Sequence, residues 1–273
     1  MQISRRTLLK AFVAASTGAA TGGAAYGFLY ERHAIEVTRS RIPVVGLPPA
    51  LNGLTIGLIT DTHRSSWVSD EDVQHAVQLL MAERPDLIVL GGDYVTKVDR
   101  RYMGPSAESL RGLSATHGVY AILGNHDDDH DMPQALNARG FVVLKDARTD
   151  ILVNGETLNL IGIRFWTRRA ASIAALTRGA KGLTVLLAHD PRRLTEAASL
   201  NIPLVLSGHT HGGQVVLPGV GAIAAQKFPV VQGTGRQNAT TIFVSRGIGM
   251  VYAPIRINCP PEVALLTLQP AAA

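Results

Sequence analysis

Five short strings in this 273-residue chain carry the side chains that can do chemistry. They are Asp61-Thr62-His63, Gly92-Asp93, Gly124-Asn125-His126-Asp127, Ala188-His189-Asp190 and Gly208-His209-Thr210-His211-Gly212-Gly213, and each follows an apolar run directly. Five of the nine histidines fall in them. Imidazoles and carboxylates gathered in one place cannot be buried without partners, and the simplest partner is a metal ion. A mixture of imidazole, carboxylate and amide oxygen suits manganese, iron or zinc. A thiolate zinc site is excluded, because Cys259 is the only cysteine. The donors are too many for one tetrahedral ion and suit two ions that share a carboxylate. Two ions about 3.5–4 Å apart can activate a water and stabilise the oxygens of an in-line phosphoryl displacement.

To converge, the strings must sit at one edge of a sheet. Strands are predicted at residues 35–37, 54–60, 87–90, 119–123, 141–144, 151–153, 157–163, 184–188, 204–207, 214–217, 241–245 and 262–268, with Asn154-Gly155 as a tight hairpin turn. Between the second and third of these lies a well-marked helix. Ser69 caps it, Asp70, Glu71 and Asp72 favour its positive end, Val73, Ala76, Val77, Leu80 and Met81 form one apolar face, and Pro85 ends it. Shorter helices are predicted at 106–115, 132–139, 170–178 and 191–200. Strand, helix, strand in this order gives a parallel or mixed sheet whose ligands sit beyond the carboxyl ends of the strands.

Composition narrows the class. The chain is 46% apolar with 27 glycines and 14 prolines, which excludes disorder, a coiled coil and a disulfide scaffold and leaves a core of small aliphatic residues. Its net charge of +5 includes Arg5, Arg6 and Lys10, ahead of the first acidic residue at Glu31; without these three the excess is two, and no basic stripe marks a nucleic-acid partner. Residues 11–30 form a weakly apolar run, seven of its 20 residues Ala and seven Gly, Ser or Thr, that suits neither an amphipathic helix nor a strong membrane span. The string Ser4-Arg5-Arg6-Thr7-Leu8-Leu9-Lys10 resembles a twin-arginine export signal, which delivers folded proteins to the periplasm or cell envelope. Residues 1–30 are therefore read as signal or anchor, with the twin-arginine export machinery as a partner. Gly23 and Ala25 suit the −3 and −1 positions of a cleavage site, but without a clean Ala-x-Ala the segment can instead stay as a membrane anchor.

Taken together, the five strings resemble the motif set of the calcineurin-like metallophosphoesterase superfamily. Val244-Ser245-Arg246-Gly247-Ile248-Gly249 and the string from Pro254 to Glu262 are similar to the carboxyl end of its bacterial twin-arginine-exported phosphodiesterase subgroup. The resemblance covers roughly residues 35 to 268. It implies an α/β fold, a four-layer αββα sandwich with two mixed β-sheets, as a catalytic domain over residues 31–273. It also implies two divalent metal ions, manganese first, with iron or zinc as alternatives. Asp61, His63 and His211 would hold one ion and Asn125, His189 and His209 the other, with Asp93 as the bridge. His126 would be the catalytic residue, assisting the leaving oxygen of a phosphodiester attacked by a metal-bridging hydroxide. Asp127 would orient His126 or shape the pocket.

Several residues have simpler readings or depart from the pattern. Singly, a strand-end Asp or His more often caps a helix or closes a turn, and Asp190 before Pro191 is read as such a cap. Thr96 stands where many relatives have an acid that steadies the catalytic histidine, which leaves the orientation of His126 open. Tyr94 follows Asp93 immediately, the wrong spacing for a tyrosinate ligand. Arg64, Arg164-Phe165-Trp166 and Arg246 either line the substrate side or serve as surface and core residues, and Cys259 is read as buried and inert. Alternative functions are a membrane-associated pyrophosphatase or phosphodiesterase acting on a lipid-linked phosphate of the envelope, and a non-catalytic metal-binding scaffold.

Overall fold

A computed structural model describes residues 4–271, so the first three residues of the segment read as signal or anchor lie outside the described residues. Two six-stranded sheets dominate. The first has the order β1 (Glu36–Val45), β14 (Glu262–Ala271), β2 (Thr55–Ile59), β3 (Leu87–Leu90), β4 (Val119–Ala121) and β5 (Val142–Val143). The second runs β12 (Gly233–Gln237), β13 (Thr240–Val244), β9 (Leu204–Ser207), β8 (Leu183–Leu187), β7 (Glu156–Gly162) and β6 (Ala147–Val153). Both are mixed: β2 to β5 are mutually parallel and β14 is antiparallel to β2, while β7, β8, β9 and β13 are parallel between antiparallel edges. A two-stranded ribbon, β10 (Val216–Leu217) and β11 (Gly221–Ala222), lies apart.

The period-two alternation of strand side chains explains the layering. Ile56, Leu58, Leu87 and Val89 of the first sheet meet Leu158, Leu160, Val185, Leu187, Leu204, Leu206 and Phe243 of the second in one core between the sheets. The residues between them point the other way. Ile59, Ile88 and Leu90 pack beneath helices α2 (Asp70–Ala82), α3 (Met103–Ser109) and α4 (Asp131–Asn137), and Ile161, Leu186 and Val205 pack beneath α5 (Ala170–Thr177) and α6 (Leu194–Ser199). The α/β sandwich expected from the resemblance is thus present, helices outside and two mixed sheets within.

Helix α2 begins in a full capping box: Ser69 accepts from the Asp72 N–H, and Asp72 accepts from the Ser69 N–H. Its apolar face buries Val73, Ala76, Val77 and Leu80. The expected helix at 106–115 instead occupies Met103–Ser109, because Pro105 is tolerated in a first turn and so does not delay the start. The 191–200 segment divides into a 3-10 turn, Pro191–Arg193, and α6. Strand β12 was not anticipated; its Gly-Thr-Gly start has no alternation to read, and it is a half-exposed edge.

The amino-terminal run is one helix, α1 (Arg5–Leu29), capped by Ser4 and exposed over nearly its whole length. No described helix is long and apolar enough to cross a membrane. Only its last turn is seated on the body: a Cβ at Gly27 would lie 2.4 Å from the Arg256 carbonyl oxygen, and the buried Glu31 just beyond accepts from the Cys259 N–H at 2.7 Å.

Candidate metal centre

All five strings lie at the carboxyl ends of parallel strands: β2, β3 and β4 deliver Asp61 to His63, Asp93, and Asn125 with His126, and β8 and β9 deliver His189, His209 and His211 across the seam. There the backbone turns sharply. Asp61, His63, Asp93, His209 and His211 all have positive φ, between 44° and 74°. Such conformations persist only where surrounding packing imposes them, and they cluster at functional sites. Neighbouring glycines make room, since a Cβ at Gly124 would fall 2.0 Å from Asp93 Oδ1 and one at Gly208 would fall 2.2 Å from Asp61 Oδ2.

Two groups of donors result. Ligand atoms of Asp61, His63 and His211 lie within 4.8 Å of one another, as do those of Asp93, His189 and His209. Asp93 Oδ2 reaches both groups, 3.1 Å from His189 Nε2 and 3.5 Å from His63 Nε2. Asp61 Oδ1 lies 3.4 Å from His211 Nε2. Asn125 lines a cavity together with Asp93, His209 and His211, and its buried Oδ1 has no hydrogen-bond partner; nor do the buried Nε2 atoms of His63 and His189. Unpartnered polar atoms this deep are unfavourable unless something else binds them, so the set fits divalent ions.

The far nitrogens are held as metal-binding imidazoles require. Nδ1 of His189 donates to the Gly91 carbonyl at 2.8 Å, Nδ1 of His211 donates to that of Gly249 at 3.3 Å, and Nδ1 of His63 lies 3.1 Å from Thr96 Oγ1. Burial keeps His63 and His211 neutral, with pKa values lowered to about 3, aided at His211 by the Arg256 charge. His209 is lowered to about 4 by burial and by His189. Burial would lower His189 too, but the charges of Asp93 and Asp61 prevail and raise it to about 10. Burial opposes ionisation of Asp93, yet His189 and His63 hold it below the usual carboxylate range.

His126 stands beside the donors, its ring edge-on to His63 at 5.0 Å between centroids. The group that orients it is a backbone amide, not an acid: the Lys97 N–H donates to His126 Nδ1 at 2.9 Å, and the Val98 N–H to the His126 carbonyl at 2.9 Å. The hydrogen of the neutral ring therefore sits on Nε2. Lys97 and Val98 both have positive φ, a costly conformation for a β-branched valine.

Asp127 makes no hydrogen bond to the His126 ring and shapes the site through the backbone. Its carboxylate accepts from the N–H groups of Asp93 at 2.7 Å, Tyr94 at 2.8 Å and Gly124 at 2.8 Å, which locks the β3 and β4 ends together. Burial and the Asp93 charge push its pKa up to about 7. Asp127→Asn keeps the shape but turns one acceptor into a donor facing an N–H. We expect it to lose about 1–3 kcal/mol, seen as a fall of several degrees in the thermal midpoint; an unchanged midpoint would refute this role.

Other expectations are redistributed. Arg64 turns away from the centre to a bidentate pair with Asp70, Nε to Oδ1 at 2.6 Å, and lies over Tyr102. Arg246 pairs with Glu262 and Glu36, each at 3.0 Å, and Arg164 with Asp146 at 2.7 Å, so all three guanidinium groups are held in ion pairs. Phe165 packs its ring 5.3 Å from that of His209, while Trp166 is exposed. The Tyr94 hydroxyl is buried and donates to the Ile122 carbonyl. Asp190 caps the Pro191–Arg193 turn, as read. Buried Cys259 directs its thiol to the His211 carbonyl. A cavity of about 450 Å³ opens beside the donors, with Asn125, His126 and His209 on one side and Ile223, Phe228 and Tyr252 on the other. That second wall, the Lys97 amide and Arg256 were missed; for Arg256 the signal was the string around it, which had no assigned role.

Residues 54–213 match the calcineurin-like phosphoesterase family. The chain is 31% identical to the uncharacterized metallophosphoesterase YkuE of Bacillus subtilis, over 98% of each chain. It is also 31% identical to the phosphodiesterase YaeI of Escherichia coli, over 97% of this chain and 99% of that one. Among solved structures, the NAD nucleotidase NadN of Haemophilus influenzae shares the fold, with a TM-score of 0.53 at 15% identity over 71% of this chain and 45% of the other.

Proposed function

Since the chain belongs to the calcineurin-like phosphoesterase family and is a metal-dependent phosphoesterase, we propose that it hydrolyses phosphodiesters at a centre of two divalent ions. Asp61, His63 and His211 would hold one ion and Asn125, His189 and His209 the other, with Asp93 between them. The observation that carries this reading is the pair of donor groups meeting at one carboxylate, with three buried donor atoms left without hydrogen bonds. When bound, the ions would supply an activated water and neutralise charge on the phosphoryl oxygens. The chain's own residues do the rest. His126, fixed by the Lys97 amide, presents Nε2–H to the leaving oxygen and donates a hydrogen bond that stabilises the charge developing there as the P–O bond breaks. Asp127 holds Asp93 in place, and the closed seam of the two sheets excludes water from behind the donors.

The apolar wall of Ile223, Phe228 and Tyr252 favours a diester over a monoester, because a second ester arm needs a surface to lie on. A second reading, a lipid-linked phosphate or pyrophosphate of the envelope, draws support from the exposure of Ile223 in that wall and of Val220 three residues before it, and from exposed Leu8, Leu9, Phe12 and Val13 along α1. Export by the twin-arginine route, retention of α1 at the membrane and manganese as the resident ion belong to the same proposal.

Full-length protein stripped by chelator and resupplied with Mn²⁺ is expected to regain hydrolysis of bis(p-nitrophenyl) phosphate. No turnover with Mn²⁺, Fe²⁺ or Zn²⁺ would sink the phosphodiesterase reading. Faster hydrolysis of a vesicle-borne phospholipid diester than of soluble diesters would favour the second.

A further inference from the structure

The string at residues 254–262 takes no part in the chemistry above, yet its Arg256 is completely buried. The guanidinium meets no carboxylate. Nη1 donates to the Cys259 carbonyl at 3.0 Å, and Nη2 lies 2.9, 3.1 and 2.6 Å from the carbonyl oxygens of Arg246, Gly247 and Gly249, while Nε has no hydrogen-bond partner. Burial of a cation without an adjacent anion is unfavourable, and an apolar side chain of similar volume would avoid the penalty.

The bend that Arg256 grips supplies the reason for it. Residues 247–249 run directly against the end of β2: the Gly249 N–H donates to the Asp61 carbonyl at 2.6 Å, and a Cβ at Gly247 would lie 2.6 Å from that of Asp61. A Cβ at Gly249 would lie 2.6 Å from the Cβ of His63. The Gly249 carbonyl, moreover, accepts from Arg256 and from His211 Nδ1 together. One oxygen therefore joins the buried guanidinium to a donor imidazole.

We propose that Arg256 is a positioning residue for the Asp61, His63 and His211 metal group: it fixes the 246–249 bend and, through the Gly249 carbonyl, sets the tilt and tautomer of His211. The inference rests on the reading of those three residues as ligands. His189, in the other group, is oriented by Gly91 instead and has no link to the bend.

Arg256→Lys tests this, since an ammonium keeps the charge but cannot span the same fork of carbonyls. Chelator-stripped full-length protein is titrated with Mn²⁺ while free ion is followed by electron paramagnetic resonance. The wild type is expected to take up two ions. Arg256→Lys should bind one as the wild type does and the other roughly 10–100-fold more weakly, losing the exchange-coupled signal of the ion pair at concentrations that fill the wild type. Val153→Ala, a core truncation at the opposite end of the strands, controls for general loss of stability and should keep both affinities. Wild-type binding in Arg256→Lys, or equal weakening in Val153→Ala, would overturn the role of Arg256. A wild type that never binds a second ion overturns the two-ion reading itself and this one with it. Should Arg256→Lys fail to fold, nitrogen-15 spectra of the wild-type histidines decide: hydrogen on Nδ1 of metal-loaded His211 supports the proposal, and hydrogen on Nε2 overturns it.

Discussion

Asp93→Asn is expected to reduce phosphodiester turnover by about a thousand-fold or more, the consequence of losing several kcal/mol of metal-borne stabilisation of the transition state. The substitution is clean. Asparagine tolerates the positive φ of this position, 56°, and its amide oxygen can still accept from the His126 N–H, a bond of 2.8 Å in the wild type. What it removes is the negative charge between His63 and His189. Elemental analysis of the purified variant should therefore show fewer than two ions per chain. Near wild-type turnover with two ions bound would rule out Asp93 as the shared ligand.

His126→Ala should leave metal content unchanged and slow the reaction by about 10²–10³-fold, the usual contribution of one positioned hydrogen-bond donor to charge that develops in the transition state. The size should depend on the leaving group. A p-nitrophenoxide spreads its charge into the ring and needs the hydrogen bond little, so its diester should lose least, whereas an alkyl diester, whose leaving oxygen keeps its charge, should lose most. Equal losses for both would mean that His126 binds the phosphoryl oxygens and not the leaving oxygen. The variant leaves the Lys97 N–H without its acceptor, but that amide is at the surface, where water replaces the ring.

The site was legible because its residues stand immediately after apolar runs, so that chain order alone put Asp61, Asp93, Asn125, His189 and His209 at strand ends. Helix α2 was legible for a similar reason: cap, acidic first turn and apolar stripe agree. What escaped lacks a side-chain signature. The partner of His126 is a backbone N–H, which no residue type announces, and Thr96, the apparent gap in the pattern, lies against His63 instead. Arg64 stayed open between two readings because its partner, the Asp70 carboxylate, lies six residues on at the start of α2, and only the fold brings the two together. Arg256 sits in a string without periodicity, and only the folded bend shows what it holds.

Each donor group draws on both halves of the molecule. Asp61 and His63 come from the first sheet and His211 from the second; Asp93 comes from the first, and His189 and His209 from the second. An ion in either group is then a clasp across the seam, and the halves cannot part without releasing it. Binding thereby becomes part of the resistance to unfolding, by about 2.7 kcal/mol for a single ion present at a hundred times its dissociation constant. A cell that withdraws the metal would do more than silence the enzyme; it would leave a looser chain, more open to proteases, so that scarcity of the ion and turnover of the protein become linked.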